Sequence, residues 1–383
     1  MKELMLYVHI PFCVRKCSYC DFLSFEADEE AQKEYINSLQ KEIQAKAKLG
    51  NGRRVSSIFF GGGTPSVCEA SLICGVLETI KSSYRVMADA EITIEMNPGT
   101  VTMDKMKAYF NAGFNRISIG LQAMDDALLK TLGRIHSRRQ FEECLKMALD
   151  AGFHNINVDL MMAIPGQSTA QWEETLKEVA QMNVTHISAY SLIVEENTPF
   201  YEHYRGDLEL QQMGKQPREL PAEETERLMY HKTLQILKQY GYQRYEISNY
   251  AKEGYECRHN IGYWIRREYV GFGLGAASLY NHVRRKNTQD MKRYLAGAYE
   301  EESETEYLTI DDEMGETMML GLRLTKGVCT DAFYQAYGVT QEEVYGAVND
   351  KLKKEGLLTQ TDKSVCLTQK GFDLANYCMA EYL

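Results

Sequence analysis

Residues 4–20 read LMLYVHIPFCVRKCSYC, a β-rich run that leads directly into three closely spaced cysteines. We predict a first strand over Leu4–Val8, and five similar runs follow it: Ser57–Phe60, Glu91–Glu95, Arg116–Gly120, Asn155–Leu160 and His186–Ser191. Helix-like segments with apolar residues at three- and four-residue spacing separate these runs. Alternating strands and helices predict parallel strands joined by helical crossovers. Six such units predict an α/β fold, a curved and incomplete (β/α)6 barrel.

Glycines and prolines mark the loops that leave the predicted strands. Five of the seven prolines lie a few residues past a predicted strand: Pro11, Pro65, Pro98, Pro165 and Pro199. The glycines at 61–63 follow the second strand, as the cysteines follow the first. The carboxyl ends of parallel strands carry the active site in α/β folds. We therefore expect a functional site where the cysteines and the glycines meet.

Length, composition and charge limit the class of protein. The chain has 383 residues, of which 44% are hydrophobic and 25% charged, as in folded proteins with more than one domain. Its formal net charge of −11 disfavours nucleic acid as a partner. No apolar run approaches the roughly 20 residues that span a bilayer. Since no basic and apolar leader opens the sequence, we expect a cytoplasmic protein.

The chain divides into three predicted segments. Residues 1–204 form the barrel with its cysteine loop, 205–300 form a linker and a segment that covers the barrel, and 301–383 form a terminal domain. Within the second segment, 205–226 lack apolar periodicity and predict a long loop. The glutamate-rich stretch 300–306 predicts a solvated joint. The terminal domain, mostly helical with a possible hairpin near 358–368, resembles a winged helix, and the net charge of −3 over its final stretch, 330–383, argues against DNA binding.

The spacing Cys13-x3-Cys17-x2-Cys20 is the strongest chemical signal. Three thiolates on one loop can hold three corners of a [4Fe–4S] cluster and leave the fourth iron open. A structural zinc site completed by His9 is an alternative, although no second pair of ligands is evident. A redox pair of Cys17 and Cys20 is another, but it leaves Cys13 unexplained. We assign the scattered cysteines to packing: Cys68, Cys74, Cys144, Cys257, Cys329, Cys366 and Cys378.

The string CVRKCSYC resembles the C-x3-C-x2-C signature of the radical S-adenosylmethionine (SAM) superfamily. Together with FFGGGTPS, SIGLQAMD, VDLMMAIPGQ and RHNIGYW in this order, the wider string LYVHIPFCVRKCSYCDF resembles the oxygen-independent coproporphyrinogen III oxidase-like family. The resemblance covers most of the chain. It implies a partial (β/α)6 radical-SAM barrel, a [4Fe–4S] cluster on the three cysteines, and SAM chelated to the open iron. In that superfamily one electron from the cluster cleaves the sulfonium to a 5′-deoxyadenosyl radical.

The resemblance also implies a set of residues around SAM: Tyr7, Tyr19, Gly62, Gly63, Thr64, Glu95, Gln122, Arg134, Asp159 and Ile193. Glycines lack a Cβ and let the backbone approach the methionyl group. Arg134 offers a forked donor for a carboxylate, although it could equally be a surface residue. A charge at Asp159, within an apolar run, needs a partner such as ribose. Tyr7, Tyr19 and Ile193 would serve equally well as core residues.

Two features differ from the oxidase pattern. Phe22 stands where that pattern has a further cysteine, which puts decarboxylation of coproporphyrinogen III in doubt. The string RHNIGYW resembles the HNxxYW signature of haem-chaperone members of the family. We therefore expect haem contact at His259, Tyr263 and Trp264, since aromatic rings stack on a macrocycle and histidine ligates its iron. This segment would close over the ends of the strands near the cluster.

Other residues near this motif are candidates for ligating the haem iron or pairing with the haem propionates. Cys257 is a second candidate ligand, and an arginine would pair with the propionates: Arg258, Arg266 or Arg267.

The leading hypothesis is a radical-SAM-type haem chaperone. The resemblance implies haem, haem-accepting proteins, including respiratory proteins of the membrane, and an electron donor for the cluster as partners. The alternatives are an oxygen-independent coproporphyrinogen III oxidase and a zinc-held binding module.

Overall fold

The computed structural model describes residues 2–383, with the backbone alone at 301–303. Six parallel strands form its centre: β1 Lys2–Ile10, β2 Arg53–Gly62, β3 Val86–Met96, β4 Arg116–Gln122, β5 Asn155–Met162 and β6 His186–Ser191. Each contains one of the six predicted strands, which are thereby confirmed. All seven residues of β4 are buried, as expected for a parallel strand covered on both faces.

Helices cross over between these strands: α1 Glu29–Ala45, α2 Ala70–Ser83, α3 Met103–Ala112, α4 Asp126–Thr131, α5 Arg138–Asp150 and α6 Thr169–Gln181. Side chains fix where they begin. A capping box formed by Ser168 and Gln171 starts α6, and Ser137 with Gln140 starts α5 in the same way. The apolar faces of these helices pack on the sheet and leave the carboxyl ends of the strands to the loops.

The stretch predicted as a long loop over 205–226 is largely helical, so that prediction was wrong. Helix α7 spans Pro199–Gln212 and α8 spans Glu223–Gln239, with only 213–222 between them. Thr198 caps α7, whose Phe200 and Tyr204 are buried. The carboxylate of Asp207 accepts backbone N–H groups from the loop, at 3.0, 2.6 and 2.9 Å: Arg218, Glu219 and Leu220. Tertiary contacts thus order a stretch whose own pattern is weak.

Shorter elements follow and lengthen the sheet at both edges: β7 Gln243–Arg244, β8 Asn249–Ala251, α9 Arg258–Trp264, β9 Tyr269–Phe272, β10 Ala277–Tyr280, β11 Val283–Asn287, α10 Met291–Leu295 and β12 Glu300–Tyr307. The strand order is β12-β11-β10-β9-β1-β2-β3-β4-β5-β6-β8-β7. Among the described residues β1 pairs with β9 instead of β6, so the barrel stays open. The predicted partial barrel is confirmed.

The glutamate-rich stretch 300–306 is a strand and not the solvated joint that we predicted. Strand β12 pairs with β11, which supplies opposite charges across the ladder. Arg284 contacts Glu306 at 2.7 Å and Arg285 contacts Glu300 at 3.0 Å. Facing charges of opposite sign favour this pairing despite the low β-propensity of glutamate. The side chains at 301–303 lie outside the described part of the chain.

The terminal unit has the predicted winged-helix-like arrangement. Its helices are α11 Ile310–Gly321, α12 Thr330–Tyr337, α13 Gln341–Lys354, α14 Gln369–Asp373 and α15 Ala375–Ala380. A small antiparallel sheet has the order β13-β15-β14, formed by Val328–Cys329, Ser364–Leu367 and Leu358–Gln360. The unit has its own apolar core. The predicted domain boundaries at 204/205 and 300/301 fall inside α7 and β12, so neither lies in a loop.

No helix in the described part of the chain is long and apolar enough to span a membrane.

We expect Asp207→Ala to loosen the α7–α8 loop specifically. The change leaves three backbone donors without their acceptor and should destabilise the loop by about 1–3 kcal/mol. Hydrogen–deuterium exchange should rise at 213–222 and stay unchanged in β1–β6. Glu209→Ala, an exposed change on the same helix, is the control. Equal exchange in both variants would contradict the assigned role of Asp207.

Candidate functional site

The loop after β1 carries the three clustered cysteines, and all three thiols are free and half-buried. The Sγ of Cys13 lies 3.6 Å from the Oγ1 of Thr64. The Arg134 guanidinium donates to the Sγ of Cys17 over 3.7 Å. Burial raises the pKa of the Cys20 thiol, and its Cys17 neighbour adds to this effect. The loop therefore brings thiols and a cation together where β1 and β2 end.

The side chains around the cysteine loop suit a cluster better than a zinc ion. In the described residues, no group of three or more His, Cys, Asp or Glu side chains is arranged to hold a metal ion. His9 is also engaged, because its Nε2 contacts the Leu23 carbonyl at 2.9 Å and its Nδ1 contacts the Tyr7 hydroxyl at 3.1 Å. A zinc site would need four ligands around one ion. A cubane needs one thiolate for each of three irons, and three free cysteines on one loop match that number.

A cavity of about 500 Å³ opens at the carboxyl ends of the strands. The three cysteines line it together with nine of the ten residues predicted around SAM: Tyr19, Gly62, Gly63, Thr64, Glu95, Gln122, Arg134, Asp159 and Ile193. Tyr7 lies elsewhere, in an adjoining cavity of about 240 Å³ inside the barrel. Because Glu95, Ser118 and Asp159 line both spaces, the two cavities are neighbours along the barrel axis.

The glycines after β2 cannot be replaced without displacing neighbours. Gly62 has a φ of 110°, and a Cβ there would lie 2.4 Å from the His9 ring. A Cβ on Gly63 would lie 2.7 Å from the carbonyl oxygen of Phe12. The positive φ and the close approach of the two chain segments explain why glycine is needed. The backbone at 62–63, which carries no side chain, therefore lines the cavity beside the cysteine loop.

Two half-buried carboxyls, Glu95 and Asp159, form the acidic wall of the cavity. Burial, aided by the charge of Asp159, raises the pKa of Glu95 from 4.5 to about 8. Burial also raises the pKa of Asp159, although Ser118 and Asn157 donate hydrogen bonds to it at 3.1 and 2.8 Å. Near neutral pH a proton therefore resides on Glu95 when no cation is bound. This wall suits a cationic ligand, whose charge would favour loss of that proton.

Sequence reasoning missed three polar residues that line the cavity. Asn97 connects Thr64 with Arg134, over 2.7 and 2.6 Å respectively. Tyr190 donates to the Gln122 side chain at 2.9 Å. Ser118 donates to Asp159. The signal for Asn97 was its place just before Pro98 after β3, in the same position as the other loop residues. Tyr190 and Ser118 lie within strands, where sequence periodicity does not distinguish cavity from core.

The histidine of the HNxxYW motif lies inside the barrel. His259 is only 1% exposed. Its Nδ1 contacts the Ser57 hydroxyl at 2.9 Å, its Nε2 contacts the Tyr263 hydroxyl at 3.1 Å, and its ring stacks on Phe59. Burial, aided by the charge of Arg116, lowers its pKa to about 3. The imidazole is therefore neutral, and both its nitrogens are in use.

The motif closes the barrel at the end opposite to the one expected. Ser57 lies in the middle of β2 and pairs with Glu91 of β3, whereas Gly62 and Glu95 near the strand ends line the larger cavity. Helix α9 therefore lies toward the amino ends of the strands, and the prediction that it covers the carboxyl ends was wrong. His259 and Tyr263 lie together at the inner cavity, while Trp264 lines a separate cleft.

The other candidate haem contacts are engaged within the chain. Cys257 is buried and donates to the Glu91 carboxylate over 3.5 Å, and burial raises its pKa to about 12. The three candidate arginines each pair with acidic residues: Arg258 with Asp89, Arg266 with Glu313 and Glu316, and Arg267 with Glu3. Ligation of iron by Cys257 would break its contact with Glu91, and haem propionates would compete with these carboxylates for the arginines.

We expect Glu95→Gln to change how stability depends on pH. Because the folded protein keeps the Glu95 proton up to about pH 8 and the unfolded chain releases it near 4.5, stability falls as pH rises through this window. The free energy of unfolding of the variant should therefore fall less steeply with pH than that of the wild type. The difference between the two slopes can reach about 1.4 kcal/mol per pH unit. Urea unfolding from pH 5 to 8 measures this, with exposed Glu195→Gln as control. Parallel curves for wild type and Glu95→Gln would contradict the buried proton.

Comparison with known proteins gives the family. Residues 7–179 match the model of the radical SAM superfamily, and 308–374 match that of the HemN C-terminal domain. The solved structure of coproporphyrinogen III oxidase (HemN) from Escherichia coli, described as a radical SAM enzyme, aligns with a TM-score of 0.84 and 23% identity. It covers 100% of this chain and 90% of that one, and it shows the shared fold.

Curated relatives match along nearly the whole length. The chain is 34% identical to the heme chaperone HemW of Bacillus subtilis (strain 168), over 98% of each chain. It is also 34% identical to the heme chaperone HemW of Escherichia coli (strain K12), over 97% of this chain and 96% of that one. Together with the cysteine loop and the open barrel, this similarity shows that the chain belongs to the HemW family of the radical SAM superfamily.

Proposed function

We propose that this protein is a haem chaperone that carries a [4Fe–4S] cluster, binds SAM and delivers haem to haem proteins. The observation that carries the proposal is the 34% identity with heme chaperones over 98% of the chain. The cavity supports it, because the three cysteines and nine residues expected around SAM share one space.

Cys13, Cys17 and Cys20 would hold the cluster through three irons. When held there, the cluster would supply single-electron reduction of SAM. The chain's own residues set the surroundings of that site. Arg134 donates to the Sγ of Cys17 and would offset part of the negative charge of the cluster ligands. Thr64 is held beside Cys13 by the Asn97 amide, so the cysteine loop and the β2 loop are fixed to each other.

The remaining cavity residues would bind and orient SAM. The open backbone at Gly62 and Gly63 accommodates the methionyl group, and Gln122 offers an amide to polar groups of the nucleoside. Glu95 and Asp159 would compensate the sulfonium charge, with Glu95 giving up its proton as the cation binds. Ile193, 67% exposed at the mouth, and Tyr19 supply apolar contact. Tyr7 would act indirectly, through its hydroxyl contact with His9.

The oxidase alternative rests on the shared fold with HemN. Phe22 lines the same cavity and is 64% exposed, at the position where the oxidase pattern has a further cysteine. A phenyl ring can neither ligate iron nor donate a hydrogen atom as a thiol does. We therefore favour the chaperone over the decarboxylase.

The three residues of the HNxxYW motif cannot all contact haem in the way that we expected from the sequence. The space beside His259 is about 240 Å³ and polar residues surround it, including Arg116, Asn157 and Asp159. Axial ligation by His259 would break its contact with Ser57 or Tyr263 and force a macrocycle into the barrel. We propose instead that His259 and Tyr263 hold α9 in place, and that Trp264 is the residue of the motif that contacts haem.

Partners would approach the mouth of the larger cavity. Phe22 and Ile193 are exposed apolar side chains that line it, beside the cations Arg15 and Lys16, and exposed Val14 lines an adjoining pocket. An exposed apolar rim with basic neighbours is typical of a contact surface for another protein. We propose that an acidic electron donor for the cluster binds there. Haem-accepting proteins, including membrane respiratory proteins, are the proposed recipients of the cargo.

Alanine at Cys13, Cys17 or Cys20 should each abolish the cluster, because two thiolates cannot hold it. After anaerobic reconstitution, each variant should lose the visible charge-transfer absorbance and most of its iron. Cys74→Ala, which removes a half-buried thiol from α2, should reconstitute normally. Normal iron content in all three variants would refute the cluster assignment.

SAM should bind without decarboxylation of coproporphyrinogen III. We expect SAM to perturb the electron paramagnetic resonance spectrum of the reduced cluster. No protoporphyrinogen should form with reductant, SAM and coproporphyrinogen III, because Phe22 lacks the chemistry of a thiol. Formation of protoporphyrinogen would instead establish the oxidase.

A further inference from the structure

Asn97 has a fixed position at the end of β3. It opens the turn 97–100, in which Gly99 has a φ of 84° and the Thr100 N–H donates to the Asn97 carbonyl at 3.2 Å. A proline followed by a glycine with positive φ is typical of a type II turn. The Thr100 hydroxyl donates to the same carbonyl at 2.7 Å. The backbone of Asn97 is therefore held, and its half-buried side chain lines the cavity beside the cysteine loop.

The orientation of the Asn97 amide follows from the chemistry of its neighbours. The Nη2 of Arg134 lies 2.6 Å from the Asn97 Oδ1, and a guanidinium can only donate hydrogen bonds. The NH2 group of the amide consequently faces the Thr64 hydroxyl, at 2.7 Å. Gly120 leaves room for this arrangement, because a Cβ there would lie 2.7 Å from the Asn97 Oδ1. The Gly120 carbonyl also accepts from Arg134 at 2.6 Å, so the cation is held by two acceptors.

This orientation gives the hydrogen bonds one direction. Because the Thr64 oxygen accepts from Asn97, its own O–H is free to donate, and the Cys13 Sγ lies 3.6 Å away. Thr64 is 2% exposed, so water competes little for that hydrogen. We call the series Arg134, Asn97, Thr64, Cys13 the amide relay. Since the Nη1 of Arg134 donates to the Cys17 Sγ at 3.7 Å, one cation acts on two cysteines, directly on Cys17 and through the amide relay on Cys13.

We propose that Asn97 is a positioning residue that transmits the charge of Arg134 to Cys13 and thereby raises the reduction potential of the cluster. This role rests on the [4Fe–4S] cluster of the proposed function and concerns how its potential is set. Hydrogen bonds to ligating sulfurs and a nearby positive charge stabilise the reduced, more negative cluster. Hydrogen bonds in series also polarise one another, so the Asn97 amide would strengthen the donor that reaches Cys13.

The test is a redox titration of the reconstituted full chain without SAM, with the reduced cluster followed by electron paramagnetic resonance. Asn97→Ala and Thr64→Val each interrupt the amide relay without changing the net charge. Each should lower the ratio of reduced to oxidised cluster at a fixed potential about tenfold, which is a midpoint about 59 mV more negative. Iron content should equal that of the wild type. Thr64→Ser, which keeps the hydroxyl, should keep the wild-type midpoint.

A double variant distinguishes the amide relay from two separate effects. Asn97→Ala combined with Thr64→Val should lower the midpoint no further than either change alone, because both interrupt the same series of hydrogen bonds. Additive shifts would contradict the relay. Thr93→Val is the matched control, since it makes the same change within β3, where the Thr93 hydroxyl is buried and has no hydrogen-bond partner among the described residues. It should leave the midpoint unchanged.

The results for wild type and variants separate this role from the function on which it rests. If the wild-type protein assembles no cluster, the proposed function fails and the role of Asn97 fails with it. If the cluster forms and both single variants keep the wild-type midpoint, the cluster assignment stands and the amide relay is refuted. A shift in Asn97→Ala without one in Thr64→Val would place the effect at Arg134 and Cys17 and also refute the relay. If Asn97→Ala loses iron, the isosteric Thr64→Val decides alone.

Discussion

The carboxylate of Glu91 decides how the barrel is closed. It lies in the middle of β3, 4% exposed, and accepts the backbone N–H groups of Arg258 and His259, each at 3.0 Å. A charge buried at this depth is stable only with several donors around it, and the first turn of α9 provides them. This one contact fixes the position and direction of α9. Tyr263 consequently lies inside the barrel, and Trp264 lies on the side of the terminal unit.

Arg116 balances the acidic groups inside the barrel. It begins β4, is 2% exposed, and lines the inner cavity with Asp159 and Glu95. Its charge opposes the rise in the pKa of both carboxyls and helps to keep His259 neutral. Burial and the charge of Asp159 nevertheless leave Glu95 protonated near neutral pH. A cationic ligand in the cavity at the carboxyl ends of the strands would favour loss of that proton.

The sequence predicts local features well and long-range placement poorly. The barrel strands are buried apolar runs, and the Ser168–Gln171 capping box is a local signal, so both could be predicted. Strand β12 could not, because its glutamates favour pairing only when β11 is known to bring arginines opposite. The direction of α9 could not be predicted either. Nothing in RHNIGYW indicates that this helix docks on Glu91, a residue of a distant strand.

The SAM cavity and the cleft that Trp264 lines lie at opposite ends of the same strand. The cysteine loop follows β1, whereas Lys2 and Glu3 at its start line the cleft. Nine residues at about 3.3 Å each separate the ends of β1 by about 30 Å. Haem in the cleft would therefore not contact SAM. Any influence of one ligand on the other has to pass through packed elements that touch both sites, and α9 is placed for this, with His259 in the barrel and Trp264 in the cleft.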